Sequence, residues 1–250
     1  VEKGDKVAVS GKNSPEWGTV YLGALFAGAI IVPIDYGLHD HEIDNLLKAS
    51  EPKIFFVDEE KYDYFSSSSK KVKIFSLSPK HPEKYVYNLA ADKEYQITPA
   101  VENDTAAILF TSGTTGTPKG VMLSHKNFVS DAYIAQTNLY ISDKDVFYAL
   151  LPIHHSYTML AVFIESLAVG AEVVFGKSMA VSRMLKELRE GKITMLLGVP
   201  LLFNKLLAGI MKGLKEKGPI VFGLMKALMG LSFFCKKVFH FNPGQFFFKP

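Results

Sequence analysis

Cysteine is almost absent. The 250 residues hold one, Cys235, so no disulfide can form within the chain. A single thiol fits a reducing compartment, and the cytoplasm is the expected location. No basic, apolar and small-residue leader opens the sequence. The first residue is Val1 rather than Met, so an earlier N-terminus is expected. The longest apolar stretch near the start covers residues 20–32, too short for a bilayer and interrupted by Gly23 and Gly28. A buried helix followed by a strand is expected there. Acids are scarce at the other end. Residues 201–250 carry eight lysines and one acid, Glu216, a local charge of +7 in a chain of net +3. Such a tail suits an anionic partner, nucleic acid or a membrane surface.

What is present is an ordinary globular composition, 48% hydrophobic and 21% charged, which excludes disorder for the chain as a whole. Strand-like and helix-like runs alternate. Residues 6–10, 30–34, 53–57, 71–77, 105–110, 120–124, 146–151, 171–175 and 193–197 read as strands, with the 30–34 strand ending at Pro33. Ser14 before Pro15 and Glu16 marks a helix start, and Asp40 is expected to cap a second helix with Ile43, Leu46 and Leu47 on one face. Helices are also expected over residues 125–140, 158–169, 179–190 and from Pro200. Residues 66–69 read as a serine-rich loop, and 78–100 as a surface connection. No repeat is visible. The alternation predicts an α/β fold, sheets flanked by helices.

Between two of the expected strands lies Thr111-Ser112-Gly113-Thr114-Thr115-Gly116-Thr117-Pro118-Lys119-Gly120. A polyphosphate needs several donors converging on its oxygens. Gly113, Gly116 and Gly120 let the backbone approach closely. The hydroxyls of Thr111, Ser112, Thr114, Thr115 and Thr117 and the loop N–H groups can donate. Lys119 adds a cation and Pro118 stiffens its approach. This is not a Walker loop, which would need Gly at 118 and Ser or Thr at 120. A flexible Ser/Gly linker would not carry Pro-Lys-Gly between apolar strands.

Residues 109–123 resemble the signature of the adenylate-forming superfamily: acyl-CoA synthetases, firefly-luciferase-type enzymes and peptide-synthetase adenylation domains. The resemblance continues through Gly4-Asp5-Lys6-Val7-Ala8, residues 23–33, Leu151-Pro152-Ile153-His154-His155 and Gly198-Val199-Pro200. It is nearest to the long-chain fatty acid–CoA ligases. It implies attack of a carboxylate on the α-phosphate of ATP, giving acyl-AMP and pyrophosphate, then transfer of the acyl group to coenzyme A. By position, residues 111–119 would hold the β- and γ-phosphates, Thr111 would touch Mg²⁺, His155 would face the substrate carboxylate, and Tyr157 would line the acyl pocket. The fatty acid is the implied substrate, and nucleic acid is not an expected partner. Aryl or amino acids are the alternative substrates. A catalytically dead membrane-docking or scaffold protein is the alternative of another class.

Other clusters have plainer readings. His154-His155 could bind a metal, but adjacent side chains diverge and no carboxylate is near in sequence. His39-Asp40-His41 reads as a surface helix start, and Asp143 and Asp145 as turn residues. The lysines after residue 200 are mixed with phenylalanines. Two readings stand for this tail: a helical surface with a core stripe, or peripheral membrane contact through residues 201–250. The superfamily's Tyr-Gly-x-Thr-Glu and Tyr-x-Thr-Gly-Asp motifs and its C-terminal lid lysine are not in the sequence. Residues 1–250 are therefore expected to be an incomplete N-terminal large domain, inactive alone.

Overall fold

The protein is described by a computed structural model over residues 1–68, 71–90, 98–111 and 118–240. The chain divides into two compact units, Val1–Met179 with Lys186–Leu197, and Ala180–Leu185 with Gly198–Pro250.

The first unit contains a six-stranded sheet. Its strands are β1 (Lys6–Ser10), β2 (Ile30–Ile34), β3 (Ile54–Val57), β4 (Lys73–Ser76), β5 (Thr105–Thr111) and β6 (Lys119–Ser124), in the order β4-β3-β1-β2-β5-β6. All neighbours are parallel except β5 and β6, which form an antiparallel edge pair. A second, two-stranded parallel sheet joins β7 (Val146–Ala149) to β8 (Glu172–Phe175).

Alternate residues of the strands serve two cores, as the period of two requires. Val7, Val9 and Ile31 face a cluster with Trp17, Val20 and Tyr21 of α1 (Pro15–Phe26). Ala8, Val32 and Ile34 face another, closed by Ile43 and Leu47 of α2 (Asp40–Ser50) and Phe65 of α3 (Glu59–Ser68). A sheet covered on both faces reads as near-continuous apolar strands, which is what residues 30–34 and 54–57 show. Each large side chain so withdrawn from water contributes about 1.5–3 kcal/mol. Trp17 stacks on Tyr21 at 5.1 Å between centroids and meets Phe163 edge-on at 5.8 Å. The π-helical stretch Met159–Ile164, between α5 (Ser156–Thr158) and α6 (Glu165–Val169), carries that Phe163.

Several expectations are corrected. Pro33 lies inside β2 opposite Val9 rather than ending the strand. β2 pairs with β5 only at Ile31 and Ala107, so the proline sits beyond the last rung on that side. The cap of α2 is His39, whose N–H donates to Glu42 Oε2 at 2.8 Å; Asp40 is the first helical residue and pairs with Lys61 at 2.7 Å. Ser66–Ser68 form the last turn of α3 rather than a loop, with Ser66 and Ser67 hydroxyls donating back to the Asp63 carbonyl. Residues 193–197 make only one bridge, Met195 to Phe147, and no strand. The other helices agree closely with expectation: Ser14 caps α1 by accepting the Trp17 N–H, α4 spans His125–Asn138, and α7 spans Val181–Glu190.

In the second unit, α8 (Pro200–Glu216) buries Leu202 and Leu206. Gly218, at φ 106° where a side chain would be strained, turns the chain into α9 (Pro219–Phe239). The core-stripe reading fails for α9: over Pro219–Val238 it is long and apolar enough to cross a membrane, and none of that span is buried.

Candidate active site

The parallel strands end on one side of the sheet, where open α/β folds bind ligands. A cavity of about 550 Å³ lies there, within the range of small-molecule sites. Its wall includes Asp35 just after β2, Phe110 and Thr111 at the end of β5, Pro118, His41 and Glu42 of α2, and His154 with His155.

Thr111 and Lys119 are register partners across the β5–β6 pair, so residues 112–117 are flanked by a strand on either side, as expected. Ser112, Gly113, Thr114, Thr115, Gly116 and Thr117 lie outside the described residues. Of the other expected site residues, Thr111 and His155 share the cavity wall, while Lys119 is exposed at the first position of β6. Tyr157, 50% exposed in α5, is not among the residues lining that cavity.

The histidine pair is positioned by Asn13. Its amide donates to the carbonyls of Ala149 at 2.9 Å and Leu151 at 2.8 Å, and its oxygen accepts the Ile153 N–H at 3.0 Å. The turn after β7 is thereby clipped to the loop before α1. His155 follows as the N-cap of α5, its carbonyl accepting the Met159 N–H at 2.9 Å. His154 is buried and His155 exposed, with ring centroids 4.3 Å apart.

Asp35 is the residue that sequence reading missed. Its Oδ1 lies 3.5 Å from His154 Nε2 and accepts the Gly37 N–H at 2.8 Å. The one available signal was an acid just past an apolar strand, at the end where sites form. His154 Nε2 itself is buried without a hydrogen-bond partner. Burial pushes the His154 imidazole down to about 4, and the neighbouring His155 acts the same way, against the pull of Asp35. The ring is therefore neutral near pH 7, and its approach to Asp35 is not an ion pair there. The expected helix start at His39-Asp40-His41 holds: these two rings stack at 5.7 Å. Asp145 is a turn residue, accepting the Ser142 N–H at 2.8 Å.

Comparison with known proteins adds four findings. The family model described as AMP-binding enzyme matches residues 1–230. The 4-coumarate–CoA ligase CCL1 of Humulus lupulus is 30% identical, over 80% of this chain and 39% of that protein. Among solved structures, ATP-bound MatB from Rhodopseudomonas palustris superposes with a TM-score of 0.74 at 28% identity, over 83% of this chain and 41% of the other. A complex of o-succinylbenzoate CoA synthetase (MenE) from Bacillus subtilis gives 0.74 at 26% identity, over 84% and 41%. The chain thus spans about two fifths of the length of these relatives.

Proposed function

Because this chain belongs to the AMP-binding enzyme family, we propose that the protein carrying it is an acid–thiol ligase that activates a fatty acid with ATP and passes it to coenzyme A. The observation that carries this reading is the phosphate-loop sequence opening from Thr111 and Lys119 beside a cavity that also holds His155.

In this reading a carboxylate oxygen attacks the α-phosphorus and pyrophosphate leaves. The sulfur of coenzyme A then attacks the acyl carbonyl and AMP leaves. Residues 111–119 hold the β- and γ-phosphates, whose charge calls for preorganised donors. His155 orients the carboxylate at the N-terminal end of the helical run Ser156–Val169, where partial positive charge favours an anion. Tyr157 lines the acyl path. Thr111 fits one place on a magnesium ion, since such ions keep water and phosphate oxygens as their other ligands. Bound there, the ion would offset charge on the leaving pyrophosphate.

The fatty acid is favoured over an aryl acid by α9. Ile220 is 85% and Phe233 68% exposed, on a helix with Lys226, Lys236 and Lys237 and no acid. Such a helix suits a cytoplasmic protein that meets its substrate at a membrane. The 4-coumarate relative supports the aryl alternative, and the two are separable. In ATP–pyrophosphate exchange by the intact protein, fatty acids should drive exchange above 4-coumarate. His155→Ala should lower kcat/KM by about 10²–10³, the loss typical of one stabilising donor. Faster exchange with 4-coumarate would remove the fatty acid, and no exchange with any carboxylate would remove the ligase.

A further inference from the structure

The chain brings together three metal-ligating side chains that are far apart in sequence. Asp35, His154 and His155 each offer one ligand atom, and these atoms lie within 4.8 Å of one another. Among the described residues no other His, Cys, Asp and Glu group of three or more meets that spacing. We propose that this trio binds a divalent transition cation of the zinc type. The proposal is independent of the ligase reading, because binding can be measured with no reaction taking place.

A second observation points to a ligand. The His154 side chain is only 5% exposed, and its Nε2, 3.5 Å from Asp35 Oδ1, has no hydrogen-bond partner. Leaving such a nitrogen unpaired is unfavourable, and coordination would satisfy it. In a tetrahedral site two ligands, each about 2.1 Å from the zinc ion, lie about 3.4 Å apart. Ligand atoms that lie within 4.8 Å of one another therefore have to close by up to about 1.4 Å. The partners can supply it. His155 is exposed, and the Asp35 side chain is 39% exposed. The Gly37 N–H already holds Asp35 Oδ1, which leaves Oδ2 to turn inward.

The donor set selects the ion. Two imidazoles and one carboxylate suit zinc, cobalt or nickel, whereas magnesium prefers oxygen alone and keeps its water. Three protein ligands leave a fourth position open toward the cavity. A cation there would stand beside the place where the proposed reading puts the substrate carboxylate, and its open position would take a carboxylate oxygen as a ligand.

The test is calorimetric titration of the chelator-treated full chain with Zn²⁺, alone and in the presence of excess Mg²⁺. One Zn²⁺ should bind per chain, with Mg²⁺ giving no competition. Asp35→Asn and His154→Gln should each weaken Zn²⁺ at least about tenfold, the lower end of the losses seen around metal sites. His81→Ala, stacked on Tyr62 and outside the cavity wall, should leave affinity unchanged. Absence of Zn²⁺ binding, equal affinity in Asp35→Asn, or loss in His81→Ala would each overturn the site. If His154→Gln unfolds by circular dichroism, Asp35→Asn decides, since its side chain sits on a partly exposed turn.

Discussion

Asn13 accepts the Ile153 N–H at 3.0 Å although the two residues are 140 positions apart. The same carboxamide donates to two carbonyls of the β7 exit, so one side chain satisfies three backbone groups. Replacement by Ala strips partners from all three. Asn13→Ala should cost about 1–3 kcal/mol, read as a lower urea midpoint. Asn13→Asp should cost a similar amount, because a carboxylate cannot donate to the carbonyls. Wild-type midpoints in both variants would mean that the clip does not hold the turn.

Two glycines of α1 should respond in opposite directions to the same change. Exposed Gly23 has nothing within 4 Å of an added Cβ, so Gly23→Ala should stabilise by about 1 kcal/mol through helix propensity. At buried Gly18 the Cβ would stand 3.0 Å from Phe163 Cε2. That ring is held edge-on by Trp17 and Tyr21. Overpacking costs about 1–3 kcal/mol, which exceeds the propensity gain. Gly18→Ala should therefore lower the thermal midpoint while Gly23→Ala raises it. The same sign in both would refute the packing account.

Glu165 gives a pH dependence of defined sign. Burial raises its pKa above 4.5, Asp131 adds to this and Gln136 opposes it, while neither carboxylate oxygen makes a hydrogen bond of ordinary geometry. The folded state thus favours the protonated form. Its contribution is fully present below the unfolded value and is lost as pH rises through the folded one. Glu165→Gln keeps the shape and removes the charge. It should raise stability near neutrality by on the order of 1 kcal/mol and change little near pH 4. A gain of equal size at both pH values would show that ionisation is not the cause.

The membrane reading predicts co-flotation with vesicles. Binding should be stronger to anionic than to neutral lipid and should weaken with salt, since each lysine near such a surface contributes about 1 kcal/mol. Lys236→Glu with Lys237→Glu, which lowers the charge of residues 201–250 from +7 to +3, should reduce the preference for anionic lipid. Phe233→Asp should reduce binding to both vesicle types. Failure of the unaltered chain to float with either would remove this partner.

Local chemistry determined much of the fold. Ser14, Pro15 and Glu16 start α1 wherever the chain goes, and an unbroken apolar run such as residues 30–34 has to be a strand covered on both faces. The composition of residues 111–120 is likewise legible without the fold, because its glycines, hydroxyls and lysine are adjacent in sequence. Other assignments depended on neighbours that the sequence does not bring near. Pro33 is tolerated inside β2 because the β5 ladder ends at Ile31, and residues 193–197 stay irregular because Phe147 offers them one bridge. Serines that read as loop became helix because Phe65 buries against Phe55 at 5.2 Å and draws α3 onto the sheet. The carboxylate absent from the neighbourhood of His154 in sequence arrives from the far end of β2. A side chain's local code sets its backbone, but the pairing of Asp35 with His154 follows from strand order and the Asn13 clip. Those long-range contacts, which no short stretch encodes, bring the histidine pair beside Asp35 in one cavity wall.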